Sequence, residues 1–285
     1  MSAQPDISVG DNGWGPDRRR AAVVVTLDNL GGVAAQARGD APTLGTGGAP
    51  LSIEILPHLL RLLGGQKLTY FVEGANCELF PQAVKSIRDA GHDIGVHAWR
   101  HETWAQTPPG ARRSILQRAI EAFNILGVDV AGFRPPGGDA DIEQTRIECM
   151  EAGLRYMSPL GVAGACALTG SFVNIPFAWR HVDAYVLSAS MSAVRQHNGD
   201  PGTAFPFAYW QETVDRALDD VKRDGRLVTL IFHPDVLGRD ERYLSLFERL
   251  VRKIGDDRNI WAPTCAALAE WAASVPASDV AATGA

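Results

Sequence analysis

The chain has 285 residues, enough for one large α/β core, and an ordinary globular composition with 46% hydrophobic residues. Its net charge of −6, with both signs interspersed and no basic block, argues against a nucleic-acid binder. No run approaches the roughly 18 apolar residues of a membrane span, and the polar first twenty residues lack the apolar core of a signal peptide, so a cytoplasmic protein is expected.

Residues 1–20 and 272–285 are expected to be poorly ordered ends flanking one domain over 21–271. Residues 21–28 are almost pure Val, Ala, Thr and Leu, which predicts a strand covered on both faces. Residues 31–50, rich in Gly and Ala, are too long for a tight turn and read as a surface excursion. A helix is expected over 53–63 with Pro57 as a candidate bend, then a strand over 67–72, a helix over 81–90 closed by Gly91, and a strand over 93–97. Residues 108–126 form a strong helical pattern, with Pro near the start and Gly127 just past the end.

Next come a short strand over 132–134, a helix over 142–152 ending at Gly153, and strands over 155–158 and 171–176. The last elements are a helix over 207–223, a strand over 227–233, a helix over 241–253, a strand over 259–262, and a helix through Trp271 capped by Thr264. Cys77, Cys149, Cys166 and Cys265 are far apart and form no C-x-x-C pair, so buried free thiols are expected.

Strands alternating with helices predict a parallel sheet, and so many units over about 250 residues favour closure into a barrel. In such barrels chemistry collects at the C-terminal ends of the strands. Those ends carry Asp28-Asn29, His97 to His101, Arg134-Pro135-Pro136-Gly137, Trp179 to Asp183, and His233. If the chain turns helically after Val96, His97 and His101 share a face, and two neutral imidazoles so placed can hold one divalent cation. The same spacing suits two ordinary, partly exposed histidines.

Asp28 ends an apolar run, as a candidate base for water or as a turn-capping carboxylate. Asn29 offers a carbonyl oxygen to a metal or to a turn. Arg134, stiffened by two prolines, can hold Asp28 ionised or lie at the surface. His233 can protonate a leaving amine or sit satisfied in the core. Trp99, Trp104 and Trp179 flank these positions, as ligand walls or as core.

The set, spanning about Ala21 to Trp271, resembles the polysaccharide deacetylases, also called carbohydrate esterase family 4 or the NodB-homology domain. The family's ordered motifs are T-F-D-D-G, H-S/T-x-x-H, R-x-P-x, an Asp/Trp element and L-x-H. Here they stand as Thr26-Leu27-Asp28-Asn29, His97-Ala98-Trp99-Arg100-His101, Arg134-Pro135-Pro136-Gly137, Trp179 to Asp183, and Ile231-Phe232-His233. The second motif, followed by Trp104, is also similar to deformylases acting on lipid-linked aminoarabinose.

The resemblance implies a distorted (β/α) barrel with fewer than eight regular units. It implies a metal-dependent hydrolase removing an acetyl or formyl group from the nitrogen of an amino sugar, a related small molecule or a glycoconjugate. Asp28 would be the base and His233 the acid, with Arg134 orienting Asp28 and Asp183 tuning His233. His97 and His101 would be metal ligands, with Asn29 at the place of the third, for zinc first and cobalt, nickel or manganese as alternatives. Trp99, Trp104, Pro136, Gly137 and Trp179 would form the substrate pocket.

Two departures from the family pattern matter. Asn29 replaces a ligand carboxylate, which weakens zinc affinity or changes the preferred metal. Gly137 replaces an aromatic residue, which suggests a roomier pocket. Asn29 also motivates two other readings: a metal-independent, allantoinase-like hydrolase opening a cyclic amide, and a non-catalytic carbohydrate-binding relative. With no export signal expected, the substrate is read as a soluble metabolite, a sugar conjugate or a lipid-linked precursor.

Overall fold

In a computed structural model, residues 6–7, 13–162 and 164–275 are described. A two-residue strand, β1 (Asp6–Ile7), precedes β2 (Ala21–Asp28), whose eight residues are all buried, as a Val-rich run covered on both faces requires. There follow α1 (Val33–Ala37), α2 (Leu51–Leu63), β3 (Thr69–Val72), α3 (Asn76–Leu79), α4 (Pro81–Asp89), β4 (Asp93–Val96), α5 (Pro109–Ile125), β5 (Gly132–Phe133), α6 (Ile142–Glu151) and β6 (Tyr156–Met157). The remainder is β7 (Cys166–Thr169), β8 (Phe172–Asn174), α7 (Asp183–Leu187), α8 (Ser192–His197), α9 (Phe207–Asp224), β9 (Leu227–Phe232), α10 (Pro234–Leu237), α11 (Glu241–Asp256), β10 (Ile260–Trp261) and α12 (Cys265–Ser274).

The strands form one sheet in the order β1-β7-β8-β6-β5-β4-β3-β2-β10, with β9 on the other side of β2. All neighbouring pairs from β8 to β2, and those of β9 and β10 with β2, are parallel. The sheet curls into a nearly closed barrel. Only single bridges, Val182 to Ile231 and Gly164 to Leu227, join β9 back to the far side. Strands β5 and β6 have two residues each, so the barrel has fewer than eight regular units. No helix among the described residues is long and apolar enough to cross a membrane.

A half-buried carboxylate at the start of β4 ties the bottom of the barrel to α12. Asp93 Oδ2 accepts hydrogen bonds from Thr69 Oγ1 (2.8 Å), Tyr156 OH (2.9 Å) and the Ala266 N–H (3.1 Å), and the Cys265 N–H donates to Thr69 Oγ1 (2.7 Å). Those amides open α12, whose unsatisfied N–H groups favour a negative partner. All four cysteines are buried, as expected.

Several sequence expectations are corrected. Strands β1 and β7 run antiparallel, because 166–174 forms a hairpin inside the stretch read as parallel strands and loop. The 31–50 excursion contains α1, anchored by buried Val33 and Ala34. Pro57 neither ends nor restarts α2, since it lies on the helix's exposed side. The segment 179–197, left without helices in the sequence reading, is largely helical.

The ends are also more ordered than expected where they are described. Helix α12 runs on to Ser274 with Ala272 buried; the rest of the tail, 276–285, lies outside the described residues. Residues 1–5 and 8–12 lie outside them too. In the 13–20 segment, Trp14 is 0% exposed, its indole N–H donates to the Gly225 carbonyl (2.9 Å), and its ring packs 5.5 Å from that of Trp271. An apolar anchor of this size outweighs the polar residues around it. Trp14→Ala is therefore expected to lower unfolding stability by about 3–5 kcal/mol, read from denaturant midpoints. A change below about 0.5 kcal/mol would mean the segment is only loosely attached.

Candidate active site

The ends of β2, β4, β5 and β9 deliver polar side chains to the same rim, and these side chains meet around a cavity of about 290 Å³. Asp28, Asn29, His97, His101, Arg134, Gly137, Trp179 and His233 all line it. The convergence expected from the strand ends is thus present in space.

Asp28 is the last residue of β2 and is buried. Arg134 Nη1 donates to its Oδ1 at 2.5 Å and to Thr26 Oγ1 at 2.6 Å, while Nη2 donates to Ser158 Oγ at 2.8 Å. The guanidinium carbon lies 4.1 Å from the centre of the Phe71 ring and 5.3 Å from that of Phe177. A fixed, sandwiched cation on one carboxylate oxygen leaves the other free to accept a proton. The surface alternative for Arg134 is excluded by its burial. Ser158, Phe71 and Phe177 were not read as site residues, and Thr26 was read only as the first residue of the Thr26-Leu27-Asp28-Asn29 motif.

His233 ends β9, and Asp183 opens α7 directly behind it. Asp183 Oδ1 lies 2.6 Å from His233 Nδ1, and Asp183 Oδ2 accepts the His233 N–H at 2.9 Å. Burial works against a charged His233, but the Asp183 charge and hydrogen bond outweigh it, and the histidine's pKa is raised. Asp183 does not itself line the cavity; it acts through His233.

His97 and His101 come together by a different route from the helical turn expected after Val96. The chain forms a compact turn in which Ala98 and His101 are left-handed (φ 60° and 64°). The carbonyls of Ala98 and Trp99 accept from the N–H groups of Gly74 and Ala75, both at 2.9 Å. The N–H groups of Trp99 and Arg100 donate to Glu102 Oε2 at 3.0 and 2.8 Å. Glu102 had not been singled out. Left-handed non-glycine residues of this kind persist only where surrounding bonds hold them.

The two rings sit 4.9 Å apart, centre to centre, at 81°. His97 Nδ1 is 2.8 Å from the Arg134 carbonyl, which can accept its proton and leave Nε2 as the free lone pair. Burial pushes the His97 pKa down to about 3 and that of His101 well below its ordinary value. Both rings are therefore neutral at pH 7, the form in which imidazole ligates a metal.

Among the described residues, no group of three or more His, Cys, Asp or Glu side chains is arranged to hold a metal ion. The third polar group beside the two imidazoles is an amide. Asn29 is left-handed (φ 67°), its N–H donates to the Phe71 carbonyl, and its carbonyl accepts from Tyr70 OH at 2.9 Å. Its side-chain Oδ1 is buried with no hydrogen-bond partner. A turn-bonding role for that oxygen is thus ruled out. An orphaned amide oxygen and two neutral imidazoles on one cavity fit a divalent cation.

Behind Asn29 lies Glu73, fully buried, whose Oε2 accepts from the Leu30 N–H (3.1 Å) and Asn76 Nδ2 (2.8 Å) while Oε1 has no partner. Burial raises its pKa to about 8. The folded chain therefore holds a proton there that the unfolded chain releases above about 4.5, and this contribution to stability is lost as pH rises through 8. Glu73→Gln is expected to remove that slope: its denaturant midpoint, relative to the parent, improves from pH 5 to about pH 8 and levels off above it. Parallel pH curves for the two proteins would refute it.

The substrate-wall assignments divide. Trp179 lines the cavity, stacked on Tyr185 (5.6 Å, 21°) and edge-on to Phe177. Gly137 lines it too; at φ 83° it takes a conformation that side chains rarely adopt, and a Cβ there would meet only Thr103 at 3.9 Å. Trp99, Trp104 and Pro136 do not line it. Trp104 is core, packed 4.6 Å from Phe133 with its indole N–H on Thr145 Oγ1. Trp99 is buried beneath Arg118, whose guanidinium lies 3.8 Å from the ring centre. Pro136 contributes its carbonyl, accepting the Trp104 N–H at 3.3 Å. A large ring near a motif is spent on packing whenever the polar centre faces the other way.

The remaining wall comes from 183–202. Buried Arg195 gathers this segment: Nη1 donates to the carbonyls of Tyr185 (2.5 Å) and Ser188 (2.8 Å), Nη2 to that of Gly202 (2.8 Å) and Nε to that of Pro201 (3.2 Å). Ser188, Ser190, Met191 and Val194 thereby reach the cavity.

Comparison with known proteins gives the architecture a context. Residues 52–157 match the family model described as polysaccharide deacetylase. The peptidoglycan deacetylase-like protein of Gibberella zeae is 36% identical over 72 residues, which is 25% of this chain and 21% of that protein. The match thus spans about a fifth of that curated relative's length. A Mycobacterium smegmatis structure assigned to the polysaccharide deacetylases superposes with a TM-score of 0.73 at 22% identity, covering 93% of this chain and 94% of that one. PuuE allantoinase superposes at 0.69 with 19% identity, covering 94% and 96%. At these identities the two structures establish a shared fold, the distorted α/β barrel of NodB type.

Proposed function

We propose, from the match of residues 52–157 to the polysaccharide deacetylase family model, that this chain is a hydrolase that removes an N-acyl group, acetyl or formyl, from an amino sugar or related small molecule. One observation carries the reading. Asp28 and His233 face the same cavity, each backed by a buried partner of opposite charge. A carboxylate paired with a guanidinium and a histidine paired with a carboxylate can serve as a base and an acid, and amide hydrolysis needs both.

Asp28 would take a proton from water as the water oxygen bonds to the amide carbon. His233 would give its proton to the nitrogen as the carbon–nitrogen bond breaks, releasing a free amine and a carboxylic acid. Asp183 accepts from Nδ1–H and stabilises the imidazolium, which leaves the Nε2 proton as the one delivered. His97, His101 and Asn29 would hold a divalent ion, zinc first, which when bound supplies Lewis-acid polarisation of the amide carbonyl. The Trp179–Tyr185 stack offers a flat apolar face to a sugar ring.

The test is release of amine, acetate or formate from N-acyl sugars and small amides, by metal-replete protein, chelator-treated protein and His97→Ala. Release by the first alone is the expected result. Full turnover in the other two would refute the metal-assisted route. Ring opening of a cyclic amide without amine release, by protein free of stoichiometric metal, would favour the allantoinase-like alternative that Asn29 motivates.

A further inference from the structure

Two arginines with no part in this chemistry stand where the cavity continues into a second recess of about 430 Å³. Arg38, just past α1, and Arg239, just past α10, line both spaces, as do Ser188 and Ser190. Their hydrogen-bonding capacity is only partly used. Arg38 makes one long contact, Nε to Asp40 Oδ2 at 3.4 Å, and its Nη1–Nη2 edge has no partner among the described residues. Arg239 is aimed by Asp235, Nη2 to Oδ2 at 2.5 Å, and otherwise reaches Ser188 Oγ and Thr43 Oγ1 only at 3.4 and 3.5 Å. The side chains are 44% and 38% exposed, so a ligand can reach them without a large desolvation cost. Arg38 lines the same cavity as Asp28, His101 and His233, which places it on the reactive side of the rim. The carboxylates nearby are engaged: Asp28 with Arg134, Asp235 with Arg239 and Asp40 with Arg38.

We infer that the substrate carries an anionic group, a carboxylate or a phosphate, that Arg38 and Arg239 hold at the junction of the two spaces. The planar guanidinium fork matches either anion with paired N–H donors, and of the Ser188 and Ser190 hydroxyls, bonded to each other at 2.9 Å, one keeps its O–H to donate beside it. A neutral sugar would leave both forks facing water. The inference rests on the hydrolase reading of the same cavity and narrows its substrate to acylated amines bearing a negative charge.

Calorimetric titration tests it, using N-acetylglucosamine, its 6-phosphate, N-acetylmuramic acid and inorganic phosphate as probes, on the parent protein, Arg38→Gln and Arg239→Gln. At least one anionic sugar is expected to bind about tenfold tighter than the neutral one. That advantage shrinks with added salt and is lost in both variants. The stronger of the two anions decides between phosphate and carboxylate. Equal binding of all three sugars, a preference that survives both substitutions, or no binding of any anion, inorganic phosphate included, overturns the inference. Amine release is followed in parallel. Anion binding without release from any probe sinks the hydrolase reading alone, whereas release without anionic preference sinks the inference alone.

Discussion

Asp28→Asn is expected to lower kcat/KM for amide hydrolysis by about 10²–10⁴, with the fold retained. The asparagine keeps the shape of the side chain and an oxygen that can accept from Arg134 Nη1 and so preserve the 2.5 Å contact, but it cannot take a proton from water. The loss should therefore fall on kcat more than on KM, because the group acts on the reacting water rather than on the body of the substrate. Steady-state kinetics with a matched unfolding curve would check both halves. Turnover within a factor of about three of the parent would remove Asp28 from the base role.

The second large effect is on stability. Arg134→Leu is expected to cost about 3–5 kcal/mol, because it strands a buried carboxylate and leaves Thr26 Oγ1 and Ser158 Oγ without their donor. Pairing it with Asp28→Asn should recover part of the loss, since the double variant buries no unpaired charge. Denaturant midpoints for the two singles and the double close the cycle. Strictly additive costs would mean that the 2.5 Å contact is not an energetically coupled pair.

The chain order of strands and helices was legible because the apolar runs of β2 and β9 and the amphipathic α5, α9 and α11 speak through pattern alone. So was the convergence of Asp28, His97, Arg134 and His233, each at the last residue of a strand or within one residue of it. Less legible was anything fixed by long-range contact. The left-handed turn that pairs His97 with His101 depends on amides from Gly74 and Ala75 and on the Glu102 carboxylate, and no local spacing announces it. Trp99 and Trp104 carried the right chemistry for a ligand wall, but their direction is set by α5 and α6, which the motif does not contain. The order of residues 13–20 was hidden by their polarity, although a single tryptophan decides the matter. Short elements such as β7, α7 and α8 have too few residues for a period to show.

Arg195 has a broader consequence. A single guanidinium satisfies the carbonyls of 185, 188, 201 and 202, so this flap carries its own internal keystone rather than borrowing one from the barrel. Substitutions along its cavity-facing edge can then accumulate with little disturbance to the strands beneath, while Asp183 at its root stays locked to His233. Side chains on that edge can thus be exchanged to alter what is bound while the Asp183–His233 pair keeps its geometry.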